Sequence, residues 1–259
     1  LRPIHILAYI YRVWMPISKQ HTRQWSLDIR GGKHAGAAAL ACATRASAVT
    51  ATWSGRSVLM AFLDCSKCYE RINHHPVGSR AAHSGCPNIV INMSMDVYIG
   101  PRLLRAHRAV AKPVQGHHGL IAGCSFAKDY LNGFLMPIAT HCVRTTFIDY
   151  VDRMVLIARG DTPTQTALDL RNDLTNVRQA LEQDDMILND QKQQVYGPTE
   201  AERRAWQALS GEEATLQVKD LGAWHYGYGY KHSLLDKRLQ TLNATATRIG
   251  TVPIPKGKK

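Results

Sequence analysis

Long apolar runs are missing from this sequence. The longest small-apolar stretch, AGAAALACAT at 35–44, stops at Arg45. A membrane helix needs roughly 20 such residues, so no membrane partner is expected. A disulfide framework is missing as well. The six cysteines, Cys42, Cys65, Cys68, Cys86, Cys124 and Cys142, are scattered through apolar context. That is the usage of reduced thiols, and it points to an intracellular protein of nucleus or cytoplasm. There is no signal-peptide pattern, internal repeat or long low-complexity tract, and the chain opens on Leu1, as a piece cut from a longer product would. Acids are scarce. Asp and Glu number 20 against 32 Lys and Arg, for a net +12 before twelve histidines are counted. Such an excess favours a polyanionic partner, nucleic acid first and an acidic membrane surface second.

What is present reads as alternating helices and short strands over 259 residues, enough for one large domain or a few lobes sharing a core. The opening RPIHILAYIYRVWMPISKQHTRQW is apolar with basic punctuation and suits strand or helix equally. Residues 35–53 are rich in alanine and predict a helix. Gly55 breaks it, and SVLMAFLDC (57–65) predicts a buried strand ending in an acid. TTFIDY (145–150) leads to Asp152, and MVLIA (154–158) returns from it. Between the strand at 57–65 and this hairpin, residues 122–143 predict a glycine turn running into a helix. Thr162, Pro163 and Gln165 form a capping-box start. Ala167, Leu170, Leu174, Val177 and Leu181 then recur at helical spacing, an amphipathic helix for a flat partner. MILNDQKQQVYG (186–197) and LQVKDLGAWHYGYG (216–229) predict later strands, and the tail IPKGKK is polar and basic. Irregular interleaving of this kind argues an α+β fold.

Asp64 ends one strand and Asp152 sits at a hairpin tip 88 residues later. Carboxylates brought together at adjacent strand ends suit hard divalent cations, a pair of which can activate a hydroxyl and stabilise a leaving pyrophosphate. A lone Asp after a strand is otherwise a turn residue or a helix cap. Cys65 and Cys68, with His74 and His75 following, invite a zinc reading. On a strand, however, residues three apart point to opposite faces, and no second ligand pair completes the set. His117 and His118 read as a surface loop. Tyr226, Tyr228 and Tyr230 alternate with glycines in a tight hairpin, as stacking partners for a primer strand or as plain surface aromatics.

FLDCSKCYERINH (62–74) resembles the first palm motif of reverse transcriptases from non-LTR retrotransposons and group II introns. GLIAGCSFAKDYLNGFL (119–135) is similar to their second motif, with Ala122 and Phe126 where glutamine and proline are usual. YVDRMVLIA (150–158) looks like the tyrosine–x–Asp–Asp hairpin, with Asp152 on the first acid and Arg153 on the second. LNDQKQQVYG (188–197), VKDLG (218–222) and RPIHILAYIYRVW (2–14) resemble the following motif, the start of the primer-gripping hairpin and a fingers segment. The resemblance runs in order from residue 2 to about 230. It implies a right-hand polymerase core, an antiparallel palm sheet backed by helices with a partial thumb. Residues 1–57 would be fingers and 58–222 palm, with a fingers segment between about 80 and 118. Residues 223–259 would be the primer-grip hairpin and the start of the thumb.

The resemblance further implies DNA synthesis from a DNA primer and dNTPs on an RNA template, with Mg²⁺ or Mn²⁺ held by Asp64 and Asp152. Lys192 would protonate the leaving pyrophosphate. Tyr69 would reject the ribose 2′-hydroxyl, Gly123 would let the backbone approach the nascent base pair, and Arg2 would contact the nucleotide. Arg153 conflicts with this set. At ~6 Å from a divalent ion and an effective dielectric of about 20, its repulsion is on the order of 5 kcal/mol. Even ~3 kcal/mol left after screening weakens metal binding more than a hundredfold. Asp149, three residues back along the strand, faces away from Asp152 and is a poor substitute. Two rivals follow, a non-catalytic nucleic-acid-binding remnant of the same fold and an unrelated basic RNA-binding module.

Overall fold

The computed structural model describes residues 9–28, 37–102, 105–106, 109–121, 123–220 and 223–226. From Tyr9 onward the opening segment is helical: α1 (Tyr9–His21) and α2 (Arg23–Asp28), followed by α3 (Ala37–Trp53). β1 (Ser57–Asp64) leads into the single turn α4 (Cys68–Arg71), then α5 (His74–His83) and α6 (Asn88–Ile99). Four two-residue strands form small antiparallel ladders: β2 (Pro101–Arg102) with β5 (Val114–Gln115), and β3 (Arg105–Ala106) with β4 (Ala109–Val110). α7 (Ala127–Leu135) and a 3₁₀ turn (Met136–His141) precede the hairpin β6 (Thr145–Tyr150) and β7 (Arg153–Gly160). Then come α8 (Pro163–Gln183), β8 (Gln194–Tyr196), α9 (Glu200–Ser210) and the hairpin β9 (Gln217–Asp220) and β10 (Ala223–Tyr226). Among the described residues no helix is long and apolar enough to cross a membrane.

The central sheet has the order β6-β7-β1-β8, every pair antiparallel. The inner strand β1 is buried along its whole length, because the period-2 alternation sends side chains into a separate core on each face. Leu59, Ala61 and Leu63, with Met154 and Leu156 from β7, pack on the helical side against Leu170, Val177 and Leu181 of α8. Val58, Met60 and Phe62 join Val155, Ile157 and Tyr196 on the other side, covered by Ala48 and Ala51 of α3 and by Val218 of β9. All five apolar positions of α8 expected from its spacing are buried.

Polar side chains set where these layers meet. At the start of α8 the Thr162 hydroxyl accepts from the Gln165 amide at 3.3 Å. The Gln165 side chain bonds Asp169 instead, so the expected box is only half made. A full box lies at α9, where Thr199 and Glu202 bond reciprocally. Glu202 is itself buried and accepts from the first interior amide of β1, that of Val58, at 3.3 Å. Asp173, fully buried in α8, accepts from the Arg144 and Thr145 amides at 2.8 Å each and from the Thr145 hydroxyl at 2.9 Å. All three reach Oδ2, which fastens the start of β6 to the helix layer. Asp173→Ala is expected to destabilise the fold by about 2–3 kcal/mol, since hydrogen bonds to a buried carboxylate are lost together. Asp173→Asn should recover much of that, because one acceptor oxygen suffices, and denaturant unfolding of the two variants checks it.

Candidate active site

The hairpin of β6 and β7 closes through the two-residue loop Val151–Asp152, with Tyr150 and Arg153 as its last pair. Val151 has φ +62°, the left-handed value that the first loop residue of a type II′ hairpin requires and that glycine usually supplies. For a β-branched residue this costs about 1–2 kcal/mol, offset in part by packing of Val151 against the core. The tip docks on the end of β1, where the Cys65 amide donates to the Asp152 carbonyl at 3.3 Å. The backbone of Asp152, predicted as the partner of Asp64, is therefore brought beside the end of β1, although Asp152 does not line the pocket described below. The register also makes Arg153 the direct cross-strand partner of Asp64, so both side chains start from the same sheet face. Asp149 pairs with Met154, whose side chain is buried in the core on the helical side, so it belongs to the opposite face.

Residues 186–197 are not the continuous strand expected. Leu188 bridges to Cys65 and the Asn189 amide bonds the Asp64 carbonyl at 2.8 Å, after which the chain turns at Asp190–Lys192. Pairing with β1 resumes only at Gln194. The turn swings Lys192 back over the site, and its ammonium donates to Asp64 Oδ2 at 2.8 Å. Asp64, Arg153, Gln191, Lys192 and Gln194, with Phe62 as an apolar wall, line a pocket of about 200 Å³ at this end of the sheet.

Below the pocket the strand ends sooner than the zinc argument assumed. Lys67 adopts a left-handed φ of +52°, and the chain turns directly into α4. Cys65 and Cys68 thus meet instead of pointing apart. Both are buried, and a hydrogen bond to Cys65, then burial and the Asp152 and Asp64 carboxylates, push the Cys68 thiol far above its usual range. Tyr69 lies half-buried beside them, its phenol raised by burial and then by its neighbours Cys68 and Asp152. The segment before the glycine turn lies against α4, with the Leu120 amide on the Tyr69 carbonyl at 2.7 Å. At Gly119, φ is +95° and a Cβ would sit 3.2 Å from the Glu70 carbonyl oxygen, so glycine is required twice over. Gly123 has φ +92° and open space around it, which makes its backbone angle the reason for glycine there. Arg2 lies outside the described residues, as do Tyr228 and Tyr230.

One residue of this region escaped the sequence reading of its role. His74 is buried at the start of α5, donates from Nε2 to the Gly119 carbonyl at 2.9 Å and stacks on Tyr98. It ties the first palm-like motif to the second.

Compared with known families, the sequence matches reverse transcriptase (RNA-dependent DNA polymerase) over residues 1–223. The chain belongs to the reverse transcriptase family. No curated protein matches it. Among solved structures, the fold is similar to apo telomerase from Candida tropicalis truncated from its C-terminal domain. There the TM-score is 0.60 at 12% identity, covering 84% of this chain and 45% of that one. Telomerase of the same organism in complex with a TWJ fragment of telomeric RNA gives 0.53 at 10% identity, covering 84% and 39%. The chain thus spans less than half the length of these relatives. At such identities the likeness shows the fold, a right-hand polymerase core in which β6-β7-β1-β8 is the palm sheet.

Reverse transcriptase domains generally use divalent metals. Here Asp64 carries Lys192 on one oxygen and faces Arg153, and no third acid, histidine or cysteine joins it and Asp152 in a metal-holding cluster among the described residues. A carboxylate that already carries one cation and faces another does not fit a pair of divalent ions.

His74 makes the fold sensitive to acid. Burial, with Arg102, His118 and His117 nearby, lowers its pKa below the ordinary 6.5. The unfolded chain therefore takes up the proton first as pH falls. Stability should be complete above about pH 6.5 and decline from there toward the lowered folded value. His74→Gln keeps a donor for Gly119 without titrating, and chemical unfolding between pH 5 and 7 should show a shallower decline in that variant.

Proposed function

We propose that this chain is the polymerase core of a reverse transcriptase of the non-LTR retrotransposon and group II intron type, with DNA synthesis impaired at position 153. Residues 1–57 would form fingers, 58–222 the palm and 223–259 the primer-grip hairpin and first part of the thumb. The substrates are an RNA template, a DNA primer and dNTPs. In this reading Tyr69 would contact the incoming sugar, Gly123 and Arg2 would serve the nucleotide, and Lys192 would donate the proton to the leaving pyrophosphate. To act, its ammonium has to leave Asp64.

The single observation behind the impairment is the cross-strand pairing of Asp64 with Arg153. It equally favours the second reading, a nucleic-acid-binding remnant that no longer synthesises. In both readings the net +12 makes binding to a primer–template duplex fall steeply with salt, as counterions are released.

Primer extension on an RNA template separates the readings. The chain as it stands should extend feebly or not at all in Mg²⁺ or Mn²⁺. Arg153→Asp supplies a further carboxylate in place of the cation, and extension should rise a hundredfold or more, from about 3 kcal/mol of relieved repulsion. Adding Asp64→Asn to that variant should abolish extension while leaving duplex binding within a few-fold. Failure of Arg153→Asp to gain activity leaves the remnant reading. Robust extension by the unmodified chain, equal to that of Arg153→Asp, would sink the proposal.

A further inference from the structure

We propose that the pocket between Asp64, Arg153 and the Asp190–Lys192 turn seats a phosphate group without a metal ion. The idea rests on the reverse-transcriptase reading only for the molecule that carries the phosphate. In an all-acid site a phosphate needs a bridging cation, because carboxylate and phosphate repel. Here the cations belong to the chain. The pocket is lined by two cationic residues, Arg153 and Lys192, against one acid, Asp64, with Gln191 and Gln194 beside them. An arginine fork of five N–H donors matches two phosphate oxygens at once. Lys192 adds a point charge whose contact with Asp64 at 2.8 Å takes up one of three ammonium hydrogens.

Placement favours capture over a loose surface contact. Arg153 is the first residue of β7, held between Tyr150 on one side and Asp64 on the other, so its backbone is fixed by two ladders. Donors on rigid elements lose less freedom on binding than donors on loops. Phe62 and Val218 close the apolar side, and the volume of about 200 Å³ exceeds that of several waters. The outcome is an exchange of chemistry within one fold. An acid pair that would recruit metal becomes a mixed pocket that takes the anion directly.

The test is calorimetric titration of the full chain with inorganic tripolyphosphate in EDTA. Saturable binding is expected, weakened at least tenfold by Arg153→Gln and less by Arg153→Lys, with no tightening when Mg²⁺ replaces EDTA. Thermal unfolding of the variants checks that each is folded, and Lys192→Gln gives a second, independent loss. Two further arms identify the source of the phosphate. If a nucleotide supplies it, dATP competes with tripolyphosphate in EDTA. If the primer supplies it, an uncharged methylphosphonate at the terminal 3′ linkage weakens duplex binding in the wild type and not in Arg153→Gln. No saturable binding, equal binding by Arg153→Gln, binding only with Mg²⁺, or neither source arm responding overturns the proposal. Gain of primer extension by Arg153→Asp supports the family reading whichever way these titrations fall, so the two proposals fail separately.

Discussion

The antiparallel ladder between β1 and β7 governs everything else in this molecule. Its register, from Ser57 opposite Gly160 to Asp64 opposite Arg153, assigns each residue of both strands to a face. One face meets α8 and the other meets α3 and β9, so both cores depend on the same alignment. A slip of a single residue would exchange the two sets of side chains and empty both cores at once. The ladder is therefore strongly specified, and its far end fixes which charges meet at the cleft.

Second-rank contacts transmit that alignment outward. Glu202 joins the cap of α9 to the amide of Val58, and Asp173 joins α8 to the beginning of β6. The Arg80 guanidinium reaches both oxygens of Asp184 at 2.8 Å and the Phe134 carbonyl at 2.9 Å, linking α5, α7 and the end of α8. The ammonium of Lys19 bonds the buried carboxylate of Asp129, which also accepts from Ser26, and so holds α1 and α2 to α7. Buried charges that are paired in this way contribute position more than net stability.

Much of the scaffold was legible in the residues themselves. The strand at Ser57–Asp64, the hairpin around Asp152 and the helix from Pro163 each carry an unmistakable period. The resemblance to reverse transcriptases rested on motif order and held at the level of family and fold. Other features were legible and passed over, such as the Thr199-x-x-Glu202 box. Some were not legible at all. That Lys192 sits in a turn depends on where pairing with β1 stops, which apolar alternation in residues 186–197 does not encode. That Cys65 meets Cys68 depends on a left-handed Lys67, a conformation without a local signal. The burial of His74 beside an exposed His75 is decided by Gly119 and Tyr98, both distant in sequence. Likewise, a hairpin predicts that Arg153 pairs with Tyr150, but its confrontation with Asp64 appears only when β1 lies alongside.

Position 153 is half-exposed at the last rung of the ladder, beyond the buried run Met154–Ala158. Neither core includes its side chain. Neither hydrophobic core therefore fixes the size or shape of its side chain, while the residue there sets the charge that faces the buried Asp64.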